Sequence, residues 1–133
     1  MTPTPPTFTD AIRQFNTWRF YDCHETLEDI WREAGAKGDE TTLANFYQGL
    51  IKSAAGYHHL LRGNHAGVMK VLGDAPRLLA PFRPRTMGVD VDALIAAVEA
   101  TLERAEALGP AGLASFDRSQ IPAIAYDSGT LAA

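Results

Sequence analysis

The chain has 133 residues, a net charge of -4 and a single cysteine. That length is typical of one domain and long enough to bury roughly two-thirds of the surface an unfolded chain exposes. The scattered charges offer no basic run for a nucleic acid backbone or an anionic membrane, and one cysteine excludes an internal disulfide and a thiolate zinc cage.

Residues 1–7, MTPTPPT, read as an extended flexible arm, because Pro3, Pro5 and Pro6 bring no N–H to a regular ladder. The arm has neither a basic start nor an apolar core, so it is not a secretory signal. No apolar run approaches the ~20 residues that span a bilayer. A cytoplasmic protein is the expectation.

Thr7 followed by Asp10 resembles a capping box, with Thr9 as the other candidate, and Phe8, Ile12 and Phe15 then share one face of a helix over about 8–18. A second helix is predicted from about Tyr21 to Ala34, closed by Gly35 and Gly38 with Lys37 near its negative end. Its apolar stripe is Phe20, Cys23, Leu27, Ile30, Trp31 and Ala34, and Asp22, Thr26, Asp29 and Glu33 are expected to face water. Between the two lies a strip of Tyr21, His24, Glu25, Glu28 and Arg32 that an ordinary amphipathic helix would not need.

Asp39 or Thr41 can cap a third helix running to about Arg62, ended by Gly63, with Asn64 capping the next. Leu43, Phe46, Leu50, Ala54, Tyr57 and Leu61 form its apolar face. Its back carries Gln48, Lys52, Ala55, Gly56 and His59. Small residues permit close approach, so this helix is expected at the centre, with Gln48, Lys52 and His59 meeting the polar strip.

A fourth helix opens after Asn64 and is interrupted at Pro76, and residues 83–89 read as a loop. Asp90 or Asp92 caps a fifth helix ending at Gly109-Pro110. The tail from 110 lacks a clear period and is expected to be an irregular strap anchored by Ile121 and Ile124, loose over 128–133. The expected fold is therefore an all-α single domain over 8–127, a bundle of about five helices with an irregular C-terminal tail.

The candidate ligand-binding residues are Tyr21, His24, Glu25, Glu28, Trp31, Gln48, Lys52, His59 and Asn64. They support three readings: a pocket for a small polar or cationic ligand or a partner's side chain, a metal-assisted hydrolase, and a purely structural polar network. His24 and Glu28 stand side by side at i,i+4, and His59 could complete a divalent metal site. The zinc-protease pattern His-Glu-x-x-His is absent, however, and the Lys52 ammonium would already neutralise the carboxylates, so no cofactor is predicted. Cys23 lies on the apolar stripe and reads as inert, His58 as a packing residue, His65 as exposed, and Trp18 and Trp31 as core. A weakly patterned apolar tail leaves a homo-oligomer possible.

Phe15-Asn16, Tyr21-x-x-His24-Glu25-x-Leu27-Glu28-x-x-Trp31-Arg32, Gln48-Gly49-Leu50-Ile51, His59-x-x-x-Gly63-Asn64-x-x-Gly67 and Gly88-Val89-Asp90 together resemble the family catalogued as domain of unknown function 309, over about residues 8–95. The resemblance implies a small all-helical bundle, found in bacteria, archaea and plastids, without an established activity. It places His24, Glu25, Glu28, Trp31, Gln48, His59 and Asn64 at signature positions. Lys52 departs from the glutamine common in the family, which favours an ion pair with Glu25 or Glu28. Gly73-Asp74-Ala75-Pro76 interrupts a helix that the family pattern would continue.

Overall fold

A computed structural model describes residues 7–36 and 41–127. The arm before Thr7, the 128–133 tail and Lys37, Gly38 and Asp39 lie outside the described residues. The helices are α1 (Phe8–Asn16), α2 (Phe20–Ala36), α3 (Thr41–Leu61), α4 (His65–Val71), α5 (Ala75–Leu79) and α6 (Val91–Gly112). A 3-10 turn over Leu72–Asp74 joins α4 to α5, so these two short helices are the halves of the interrupted fourth helix. The fold is all-α.

The capping box forms as expected. The Thr7 N–H donates to Asp10 Oδ2 at 2.8 Å and the Asp10 N–H to Thr7 Oγ1 at 3.3 Å, and the Thr7 N–H, then its hydroxyl at 3.1 Å, hold the Asp10 carboxyl below its usual range. Helix α1 ends two residues earlier than expected, because Trp18 adopts φ 64° and the Arg19 N–H returns to the Gln14 carbonyl at 2.8 Å. This left-handed helix end is usually made by glycine. Here a tryptophan makes it, and Trp18 is 42% exposed rather than core.

Helix α3 is central, packing against α1's neighbour α2 on one side and α4 and α5 on another. Phe15, Phe20 and Tyr57 meet where the first three helices converge, with ring centroids 5.0 to 5.8 Å apart. The two helix glycines sit where neighbours come closest: a methyl on Gly49 would lie 2.7 Å from Leu79 side-chain carbons, and one on Gly56 only 2.5 Å from Leu72 Cβ. Both leucines are fully buried. Hydrophobic burial in this contact offsets the helix propensity that glycine forfeits.

Asp90 caps α6 by accepting the Ala93 N–H at 3.0 Å, and Gly109, at φ 69°, breaks that helix before Pro110. The 83–89 segment is not a plain loop. Arg85–Thr86 (β1) pairs antiparallel with Val89–Asp90 (β2), and Met87 and Gly88 both take positive φ, as a two-residue hairpin turn requires. The tail is strapped down as expected. Ile121 and Ile124 are buried, Asn16 holds Ile124 through both its backbone groups at 3.1 and 2.7 Å, and Thr9 meets Tyr126 Oη at 2.8 Å. No helix among the described residues is long and apolar enough to cross a membrane.

Candidate functional site

Tyr21, His24 and Glu28 follow one another along α2 at spacings of three and four, so they form one row on its surface. α2 lies against α3, and the row faces the part of α3 that carries Ala55, His58 and His59. Tyr21, His24, Ala55, His58 and His59 line a cavity of about 160 Å³ between the two helices. Its walls are aromatic rings: Tyr21 stacks on His24 with centroids 6.2 Å apart, and lies 5.7 Å from His58, which lies 6.0 Å from His59.

Proton positions follow from the hydrogen bonds. His24 Nε2 lies 3.4 Å from Glu28 Oε1, whereas its Nδ1 is buried without a partner. Of the two neutral tautomers, the one protonated on Nε2 directs its N–H towards Glu28 and leaves Nδ1 as the unpaired acceptor. Asn64 Oδ1 accepts the Gly67 N–H at 3.0 Å, which leaves Nδ2 to donate to His59 Nδ1 at 3.1 Å. His59 Nδ1 is therefore the acceptor. His58 is held below the ordinary histidine pKa by desolvation, then by the charges of Arg62, His59 and His24, which favours its neutral form.

The spacing His59-x-x-x-Gly63-Asn64-x-x-Gly67 acquires a physical reason. Gly63 takes φ 72° just past the end of α3, and Asn64 then caps α4 while orienting His59. A methyl on Gly67 would stand 2.5 Å from His59 Cγ and 2.8 Å from Asn64 Nδ2. Glycine at 67 lets the imidazole and the amide share one seat.

Of the nine candidates, Tyr21, His24 and His59 reach the cavity. Glu28 touches it through His24 and is shared with Arg32 at 3.3 Å, and Asn64 acts through His59. Glu25 is exposed and Gln48 half-buried, neither lining the cavity. Trp31, 37% exposed, lies further along α2 instead of in the core. Lys52 does not pair with Glu25 or Glu28: its Nζ lies 3.7 Å from Asp74, because the interrupted fourth helix brings an aspartate over that face of α3. His24, Glu28 and His59 do not assemble into a metal site, and no cluster of three or more His, Cys, Asp or Glu side chains suited to a metal occurs among the described residues.

Three further expectations change. Thr26 is 6% exposed, since it lies in the same row as Cys23 and Ile30. His65 is half-buried, donating Nε2–H to the Ala105 carbonyl of α6 at 2.9 Å. His58, read as a packing residue, is a wall of the cavity; its position between Tyr47 and Ile51 on the helical wheel was the available signal, but which helix it would face was not. Cys23 is inert as expected, its thiol pushed up to about 12 by burial.

The profile of a family described as "Domain of unknown function (DUF309)" matches residues 8–71. The match ends before the Gly73–Pro76 interruption, short of the 95 expected, and leaves Gly88-Val89-Asp90 outside. Over 105 residues, 77% of this chain, the sequence is 28% identical to "Uncharacterized protein YpuF" of Bacillus subtilis (strain 168), of whose length it spans 58%. No solved structure matches.

Proposed function

We propose that this chain, whose residues 8–71 match the DUF309 profile, is a binding module that receives one small polar group in the cleft between α2 and α3. The supporting observation is the ring-lined cavity of about 160 Å³. That volume falls below the ~300–1,000 Å³ of cofactor and drug sites, which suits an occupant the size of a single side chain. Tyr21 and the imidazoles offer faces for stacking or for a cation, while His24 and His59 keep directional hydrogen-bonding atoms beside them. The occupant is a small molecule or a side chain of a protein partner.

Ala55 provides the test. A phenylalanine there fills the cleft from α3 without removing any polar contact of the site. Amide and imidazole resonances of Tyr21, His24, His58 and His59 are followed while phenol, imidazole or tetramethylammonium is added. At least one probe should shift these residues together in the native protein and none in Ala55→Phe, with both proteins folded. If no probe perturbs the group, and cells relying on Ala55→Phe grow as cells with the native protein do, the binding reading is wrong.

A further inference from the structure

A second cleft lies away from the imidazoles, where the end of α3 meets the segment after α6. Its volume is about 250 Å³, and Leu60, Gly63, Leu113, Phe116 and two arginines, Arg62 and Arg118, contribute to its lining. Leu60, Leu113 and Phe116 are buried, so they supply an apolar floor. Both arginines are exposed and line the cleft.

In a chain of net charge -4, two guanidiniums on one cleft should attract carboxylates. Among the described residues neither forms an ion pair. Arg118 donates Nη2–H to the Leu61 carbonyl at 3.4 Å, which ties it to the end of α3. The adjacent carboxylate, Asp117, is turned to Ser119, whose N–H and Oγ donate to it at 3.0 and 2.6 Å. Arg104 is engaged by Gln120 at 2.8 Å.

The negative end of α3 meets the guanidiniums only through that Leu61 carbonyl. Its His59 carbonyl accepts from Arg62 N and Asn64 N, and its Leu60 carbonyl from Gly63 N. The guanidiniums therefore keep most of their donors for a group from outside. Arginine pairs bind planar anions through parallel N–H donors, and an apolar floor beneath them selects an anion that carries hydrocarbon.

We infer that this cleft is a binding site for a carboxylate bearing a short aliphatic chain, the carboxylate held by Arg62 and Arg118 and the chain lying over Leu60, Leu113 and Phe116. The carboxylate belongs either to a free fatty-acid-like molecule or to the C-terminus of a peptide. The cleft is separate from the α2–α3 cavity, although the Arg62 charge also bears on His58 in the wall of that cavity.

The test uses the full chain and four probes: hexanoate, hexanol, inorganic phosphate and the peptide Gly-Gly-Leu with a free or an amidated C-terminus. Hexanoate should shift resonances of residues 60–63 and 113–118, with hexanol and phosphate each about tenfold weaker, since each lacks one half of the recognition. Arg62→Gln and Arg118→Gln should each weaken hexanoate by about tenfold while melting close to the native protein. Arg118→Lys, which keeps the charge and loses the paired donors, should fall between. The free peptide binding more tightly than hexanoate assigns the carboxylate to a chain terminus, and the reverse to a small acid. The inference is overturned if hexanoate leaves these residues unshifted, if hexanol binds as well, or if both arginine variants bind hexanoate as the native protein does. Ala55→Phe should leave all of these titrations unchanged, which separates this site from the ring-lined cavity.

Discussion

Gly56→Ala offers a test of how tightly the central helix is gripped. On an exposed helix this change would stabilise by up to about 1 kcal/mol, because alanine is the better helix former. Here the new methyl would stand 2.5 Å from Leu72 Cβ and 3.0 Å from Leu72 Cα. Neither atom can be moved by changing a rotamer, so the backbone of the turn after α4 must shift. Overpacking of this kind costs about 1–3 kcal/mol; with the clash set by backbone atoms we take the upper end, which leaves a net loss of roughly 2 kcal/mol. At roughly 4 °C per kcal/mol for a domain of this size, the melting temperature falls by about 8 °C. Two controls calibrate the result. Gly49→Ala comes closest to Cδ2 and Cγ of Leu79, which a rotamer change can move, with Leu78 Cβ at an ordinary 3.4 Å, and should lose less. Gly73→Ala meets nothing within 4 Å and should be neutral or gain a few tenths of a kcal/mol. Urea and thermal unfolding of the three variants measure the series. A Gly56→Ala protein at least as stable as the native one would refute the reasoning.

Tyr57 donates its hydroxyl to Thr101 Oγ1 at 2.8 Å, because Thr101 spends its own proton on the Ala97 carbonyl. Tyr57→Phe should therefore cost about 1 kcal/mol in urea unfolding, the worth of one buried hydrogen bond. Asn16→Ala removes both bonds to Ile124 and should speed hydrogen exchange of the Ile124 amide far more than that of Val98 in α6. The depressed pKa of His58 means that the unfolded chain binds the extra proton first as pH falls. This contribution is present above the ordinary histidine value of about 6.5 and is lost progressively as pH drops below it towards the folded-state pKa. An imidazole titration should place the His58 midpoint below that value and Arg62→Gln should raise it; a native midpoint above about 6.5 would contradict the electrostatic picture.

Local signals in the sequence marked most of the fold. Thr7 and Asp10 announce α1, Asn64 and Asp90 announce α4 and α6, and Gly109-Pro110 ends the last helix, because each acts through bonds to residues within a turn. The hydrophobic period located Phe46, Leu50, Ala54 and Tyr57 on the buried face of α3 for the same reason. What depended on neighbours was less legible. Thr26 was assigned to water from its polarity, although its spacing from Cys23 and Ile30 puts it on the buried row. Lys52 was matched to carboxylates of α2 because the break at Gly73–Pro76 gave no hint that Asp74 would fold back beside it. His58 stood at the right angle on α3, but the crossing of α2 decides what it meets. Trp18 reads as core on residue type alone and is exposed: a left-handed residue at a helix end is recognisable when it is glycine and invisible when it is tryptophan.

The clasp between α1 and the tail also has a bearing on the order in which the molecule can be completed. Its hydrogen bonds join residues 108 and 117 positions apart, so they close very long loops among the described residues at a high entropic cost. A ribosome adding ~5–20 residues each second takes roughly 5 to 20 s to pass from α1 to Tyr126. Throughout that interval the flank of α1 next to Ile12 lacks the cover that Ile124 and Tyr126 bring to it. Chains stopped before Ile124 would leave this seam open, so the residues from Ile124 to Tyr126 act as a seal that only a chain extended past them can apply.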